Sequence, residues 1–153
     1  TKDDLLKHLN YHYWATQQML ASCKELSDDE LIKETGSAFG NIKGILVHML
    51  GAEDIWLTRW QAKAEMDFPS PEDYTDLSHI EREWYGQYQR MEAFLQGADT
   101  DGPMTIRDHQ HVLWEMVLHM IDHSSFHRGQ VMHIIRSFGY TPLSSNLIHF
   151  LRQ

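Results

Sequence analysis

Four segments of the chain carry apolar residues at steps of three and four positions, the spacing that places side chains on one face of an α-helix. In the first segment this stripe consists of Leu5, Leu6, Leu9, Tyr13, Met19 and Leu20. Alternation of apolar and polar residues, which would indicate strands, is nearly absent. The sequence therefore predicts an all-α fold with four long helices.

Residues that cap or break helices separate these segments and set their bounds. We predict helices over residues 2–25, 42–64, 78–97 and 106–139. Short helical segments are expected at a Ser27-x-x-Glu30 capping box and over residues 147–151. The linker over residues 65–77 is long enough to cross the molecule. We therefore expect one domain, residues 1–153, folded as a four-helix bundle with a long crossover connection.

Composition excludes several classes of partner. The 153 residues carry a formal net charge of -9, and their Lys and Arg residues are scattered, so we expect no nucleic-acid partner. The longest apolar stretches fall far short of the roughly 20 residues that a membrane span needs. The only cysteine, Cys23, rules out an internal disulfide and fits a reducing compartment. We therefore expect a cytoplasmic protein with no membrane partner.

The fourth segment contains three of the 11 histidines at four-residue intervals: His119, His123 and His127. Residues four apart lie one turn apart on nearly the same face of a helix, so either neighbouring pair can reach one metal ion. The ends of the series are about 12 Å apart along the helix axis, too far to share an ion. His123 belongs to both pairs, and the spacing leaves open which pair binds. It also leaves open that this is a histidine-rich helix without a metal.

A third ligand has to come from another helix, and His48 is the strongest candidate. It lies within the apolar run Ile45–Leu50, where an imidazole without a partner would be costly. Small neighbours, among them Gly44 and Gly51, leave space beside it, although they are equally consistent with close helix packing around a hydrogen-bonded His48. His8 and His12 form another pair four residues apart, which allows a second or a competing site.

The residues that define two common kinds of metal site are absent from this sequence. A hydrolase of the H-E-x-x-H type has a glutamate beside its first histidine, whereas His123 is followed by Ser124 and Ser125. No carboxylate lies one turn from His48, His123 or His127 on its own helix. The repeated Glu-x-x-His ligands of di-iron bundles are also absent. Simple metal-assisted hydrolysis is therefore disfavoured.

Several motifs together resemble the DinB family of bacterial proteins. The most specific is His119-x3-His123-x3-His127-Arg128-Gly129-Gln130. Further matches are Tyr11-x2-Trp14-Ala15, Phe39–Ile42, Leu46–Glu53 with Trp56 and Trp60, Ile135–Gly139 and Asn146–Arg152. The resemblance spans most of the chain in the expected order, while residues 65–105 match only loosely.

The resemblance implies a homodimeric four-helix bundle that holds one divalent metal per chain through His48, His123 and His127. Such a nitrogen-rich set suits Zn, Ni, Co, Cu or Fe(II), with Zn or Ni expected first, and disfavours Mg or Ca. One departure concerns His12, because family members commonly have Asn near that position. We therefore consider His12 as an additional ligand, which would fill an otherwise open coordination position.

The resemblance also implies a function, because related bacterial proteins are thiol-dependent S-transferases. We expect the metal to activate a low-molecular-weight thiol, and we identify no catalytic residue. Trp14, Trp56 and Trp60 are expected either to wall a substrate pocket or to pack in the core. Gln130 is expected to orient one of the metal-binding histidines without itself contacting the metal. The alternative is a non-catalytic metal-binding stress-response protein in which the ion is structural.

Overall fold

The computed structural model describes residues 1–153 and consists mainly of helices. In chain order the elements are α1 (Lys2–Cys23), α2 (Asp28–Leu31), α3 (Ile42–Trp60), a 3-10 turn (Pro71–Asp73), α4 (Leu77–Gly97), β1 (Pro103–Ile106), β2 (His109–Val112), α5 (Leu113–Ser137) and α6 (Leu147–Phe150). None of the helices combines the length and apolar character that crossing a membrane requires. The predicted all-α bundle of four long helices is confirmed.

The order of the four long helices requires a crossover. Each of α1 and α3 packs against both α4 and α5. Helices α3 and α4 run parallel, since the Gln87 amide donates to the Leu50 carbonyl and, one turn further along both helices, Arg90 donates to Asp54. Parallel neighbours need a connection that returns along the bundle, and residues 61–76, here called the crossover strap, provide it. The predicted long crossover is thus confirmed.

The apolar stripes of the long helices meet in two core clusters. The larger cluster surrounds the N-terminal half of α3, and the smaller one surrounds its C-terminal end at Leu57 and Trp60. Leu9 and Met19 of the first stripe are fully buried, one in each cluster. Burial of these stripes holds α3 and α5 side by side, and this arrangement positions the histidines.

Several helix bounds differ from the prediction by a few residues, and local interactions explain two of these differences. Helix α3 ends at Trp60 rather than at residue 64, and Ala62 just beyond it adopts a left-handed φ of 52°. Helix α4 begins at Leu77, because the Asp76 carboxylate accepts the His79 backbone N–H at 2.7 Å and so caps the helix. The Ser27 capping box forms as predicted, with Glu30 closing it.

The largest local error concerns residues 103–112, part of which was predicted to be helical. These residues form the antiparallel hairpin β1–β2, in which Ile106 pairs with His109. Arg107 and Asp108 make its two-residue turn with φ of 47° and 66°, the left-handed region used by tight hairpin turns. Helix α5 consequently begins at Leu113 rather than near residue 106.

Candidate metal centre

Helices α3 and α5 bring three imidazoles together. The ligand atoms of His48, His123 and His127 all lie within 4.8 Å of one another. The Nε2 atoms of His48 and His123 are 3.4 Å apart. A tetrahedral ion with bonds near 2.1 Å separates two ligand nitrogens by about 3.4 Å. The spacing of these two atoms therefore fits a shared ion.

The protonation states of these imidazoles suit metal binding. Burial, together with the neighbouring His127 and His123, lowers the pKa of His48 to about 4. Burial and the neighbouring His127 and His119 also lower the pKa of His123. Both imidazoles are therefore neutral at neutral pH, and each has a nitrogen lone pair to donate. Neutral ligands would leave the double positive charge of a bound cation uncompensated.

Gln130 fixes the orientation of His127 through a contact at Nδ1, the ring nitrogen that is not expected to bind the ion. The Nδ1 atom of His127 lies 2.7 Å from the Oε1 atom of Gln130. An amide oxygen only accepts hydrogen bonds, so Nδ1 carries the proton and Nε2 keeps the lone pair. A hydrogen bond of this kind is the usual outer contact of a metal-binding histidine, and here Gln130 makes it with His127.

The other histidines considered from the sequence lie outside the cluster. The ring of His119 contacts Trp56 edge-on, with ring centroids 5.0 Å apart, so the structure groups the His123–His127 pair rather than the His119–His123 pair. His12 is buried on α1, where its Nε2 lies 3.1 Å from Oε1 of Glu53. It therefore supplies no fourth nitrogen to the cluster. His8, its partner in the other predicted pair, is half-buried, and its Nδ1 lies 2.8 Å from the backbone oxygen of Asp4.

The tryptophans do not wall the site, contrary to one of the two expectations for them. Trp14 packs against Phe150 of α6, and Trp60 is buried in the smaller core cluster. Trp56 faces His119. The aromatic neighbours of the cluster are instead phenylalanines that sequence reasoning missed as site residues: Phe39, Phe68 and Phe126.

Two cavities lie near the histidine cluster. The first, of about 580 Å³, opens beside His48, and we call it the apolar cavity because uncharged side chains, including Phe39 and Phe68, line it. The second, of about 480 Å³, is the polar cavity and reaches Gln130. Its other polar lining residues are Thr35, Ser37 and His133. Of the two, the apolar cavity is lined by a histidine of the cluster, His48, whereas the polar cavity lies on the Gln130 side of His127.

A buried carboxylate, Glu53, supports the site from the interior. Its side chain is 1% exposed and accepts hydrogen bonds from Trp84 Nε1 and Ser124 Oγ, both at 2.8 Å, besides its contact with His12. Ser124 directly follows His123, so this bond helps to set the register between α3 and α5. Sequence reasoning missed Glu53, although an acidic residue within an apolar helical stripe was a signal for it.

The only thiol of the chain is sealed in the core. Cys23 is 0% exposed, and burial raises its pKa to about 12. Because the thiolate is the reactive form, we expect Cys23 not to react with Ellman's reagent in the folded protein and to react as one equivalent after unfolding in urea. Native labelling as fast as that of a free small thiol would contradict this burial.

Comparisons with known proteins agree with the resemblance seen in the sequence. A model of the DinB family matches residues 2–153. Protein DinB of Bacillus subtilis (strain 168) is 23% identical over 151 residues, which covers 90% of this chain and 88% of that protein. The crystal structure of a DinB-like protein from Bacillus subtilis matches with a TM-score of 0.67 and 14% identity, over 92% of this chain and 95% of that one. The latter match shows a shared fold.

Proposed function

Because the chain belongs to the DinB family, we propose that it binds one divalent transition metal through His48, His123 and His127 and uses it in thiol-dependent S-transfer. The observation that carries the metal site is the convergence of three imidazoles, whose ligand atoms all lie within 4.8 Å of one another. One N–H bond can join the Nε2 atoms of His48 and His123 at 3.4 Å, whereas an ion can accept a lone pair from all three histidines. Zinc and nickel are the metals we expect first, since the ligand set is made of nitrogen.

The donor set and its surroundings support transfer chemistry rather than hydrolysis. A divalent ion in this site would supply a Lewis acid that lowers the pKa of a thiol bound to it. Gln130 holds His127 in the tautomer that can bind the ion. The apolar cavity, which His48 lines, leaves room for a reactant beside the ion. No carboxylate belongs to the histidine cluster, so a base for activating water is missing there.

The chain itself does not provide the thiol. Its one cysteine is buried and protonated, so the reactive sulfur has to enter from solution. This requirement supports a two-substrate reaction, in which a small thiol and an electrophile meet beside His48 and His123.

The proposal is tested by metal analysis followed by activity assays. Protein purified without a histidine tag should contain one Zn or Ni per chain by elemental analysis. The zinc-loaded and nickel-loaded forms should then conjugate at least one member of a panel of bacterial thiols to an electrophile, and the metal-free form should not. The absence of any metal-dependent conjugation across the panel would count against transfer chemistry.

A structural role for the ion is the competing interpretation, and His48→Ala separates the two. The two core clusters and the Glu53 hydrogen bonds join α3 to its neighbours without the site. We therefore expect the variant to stay folded by circular dichroism while losing metal and activity. Unfolding together with metal loss would favour the structural role. The homodimer stays a separate prediction, which sedimentation equilibrium tests.

Replacing Gln130 by Ala should weaken zinc binding about 10- to 100-fold, the usual effect of losing the outer partner of a histidine ligand. The reason is that His127 loses the acceptor for its Nδ1 proton and can rotate or change tautomer. A competition titration with a chromogenic chelator measures the affinity. The matched control is Gln89→Ala, since Gln89 is exposed on α4 and its amide contacts only Tyr85. Equal affinities of the two variants would contradict the role of Gln130.

A further inference from the structure

Two phenylalanine rings, those of Phe39 and Phe68, form part of the wall of the apolar cavity beside His48. The ring of Phe39 stacks on His48 with centroids 3.9 Å apart, and the ring of Phe68 lies parallel to His48 within 5° at 5.5 Å. Phe68 is nevertheless 53% exposed. A half-exposed aromatic ring beside a metal-binding imidazole offers an uncovered apolar contact surface to a small molecule.

The charges of the lining discriminate between classes of ligand. The remaining lining residues are Ala38, Gly44, Val47, Pro69 and Pro71, so no side chain of this cavity carries a formal charge. Away from the ion, an anionic group inside this cavity would be desolvated without a Lys or Arg to pair with, which is costly. An aromatic or short alkyl group would instead gain the free energy of removing apolar surface from water.

The position of Phe68 follows from the path of the crossover strap. The strap passes so close to α3 that a Cβ atom added at Gly51 would lie 2.6 Å from Cδ of Pro69 and 3.1 Å from a ring carbon of Phe68. Only glycine leaves room for this approach. The strap thereby places Phe68 beside Gly51 and against His48, which lies one helical turn before Gly51, and makes Phe68 part of the wall of the cavity.

We propose that the apolar cavity binds the uncharged aryl or short alkyl group of a small-molecule substrate, with Phe68 as the residue that determines this specificity. The inference rests on the proposed function, because the metal at His48 holds the reactive end of that substrate. It goes further by assigning a substrate class: small molecules whose reacting atom carries an apolar and uncharged substituent.

Spectroscopy of the cobalt-loaded protein tests the proposal without relying on turnover. Co(II) is added to metal-free protein, and its visible absorption bands report whether the three-nitrogen site forms. Phenylmethanethiol and 2-sulfanylethanesulfonate are then titrated, and the thiolate-to-cobalt absorption gives a dissociation constant for each. We expect the aryl thiol to bind about tenfold or more tightly than the sulfonate, as burial of its ring against Phe39 and Phe68 implies.

Two variants distinguish the contribution of the cavity wall to thiol binding from the contribution of the metal site. Phe68→Ala should reduce the preference to within about threefold, since most of the ring contact is lost. Met66→Ala should keep the full preference, because Met66 is an exposed residue of the same strap that does not line the cavity. Equal binding of the two thiols, or a preference that Phe68→Ala leaves intact, would overturn the proposal. Failure of cobalt to bind would instead refute the proposed metal site.

Discussion

Replacing His123 by Ala is expected to lower the affinity for Zn²⁺ by well over about a hundredfold, because loss of an outer partner alone costs up to that much. His123 faces His48 across the site at 3.4 Å, so its removal leaves one ligand on each of two helices. The effect also appears as lost stabilisation, since a ligand at about a thousand times its Kd raises the free energy of unfolding by about 4 kcal/mol. Thermal unfolding with and without zinc measures this difference.

The matched control for His123→Ala is His119→Ala. His119 lies one turn earlier on the same helix but is exposed and outside the cluster. We expect its zinc affinity and zinc-induced Tm shift to equal those of the unaltered protein. If His119→Ala lost zinc as completely as His123→Ala, the assignment of the ligand pair would be wrong.

Replacing Glu53 by Ala is expected to destabilise the fold by about 3 to 5 kcal/mol, the usual cost of removing one partner from a buried charged cluster. Three groups, on Trp84, Ser124 and His12, lose their acceptor at once. All three are buried, so water replaces the carboxylate poorly. Urea unfolding followed by circular dichroism gives the change in the free energy of unfolding.

Two further variants provide a comparison for the change in the free energy of unfolding caused by Glu53→Ala. Glu65→Ala removes an ion pair with Arg59 in which the Glu65 side chain is 69% exposed, so we expect a change of less than about 1 kcal/mol. Glu53→Gln keeps the volume and one acceptor oxygen for Ser124 and His12, and it should fall between the two alanine variants. A loss for Glu53→Ala no larger than that for Glu65→Ala would show that the network contributes little.

The helices were predictable from the sequence because the apolar residues that a helix buries recur at regular three- and four-residue steps along the chain. Leu9 and Met19 lie on such a stripe, and both are fully buried. The hairpin was not predictable, because its turn residues, Arg107 and Asp108, lack the Asn-Gly or Asp-Gly pair that usually marks a two-residue turn. The end of α3 was missed for a similar reason, since Ala62 adopts a left-handed conformation without being glycine.

The sequence predicted the contacts of the candidate site that lie within one helix better than those between different elements. The spacing of His123 and His127 is local and identified a possible pair, but only the family resemblance selected it over the pair with His119. The interaction of His12 with Glu53 joins two helices and has no local signature. The presence of Phe39 and Phe68 beside His48 was not predicted, and the position of Phe68 depends on the path of the crossover strap, which spacing along one helix does not encode.

The seclusion of Cys23 determines how this protein can be handled. A laboratory preparation usually contains dithiothreitol or a similar reductant to protect cysteines, and such a compound would compete for the very metal under study. Here the single sulfhydryl lies in the core with a pKa raised to about 12, so it needs no protection from air or from electrophiles. Titrations and assays of the folded protein can therefore be carried out in buffer free of added reductant, and any thiolate-to-metal absorption then comes from the added thiol.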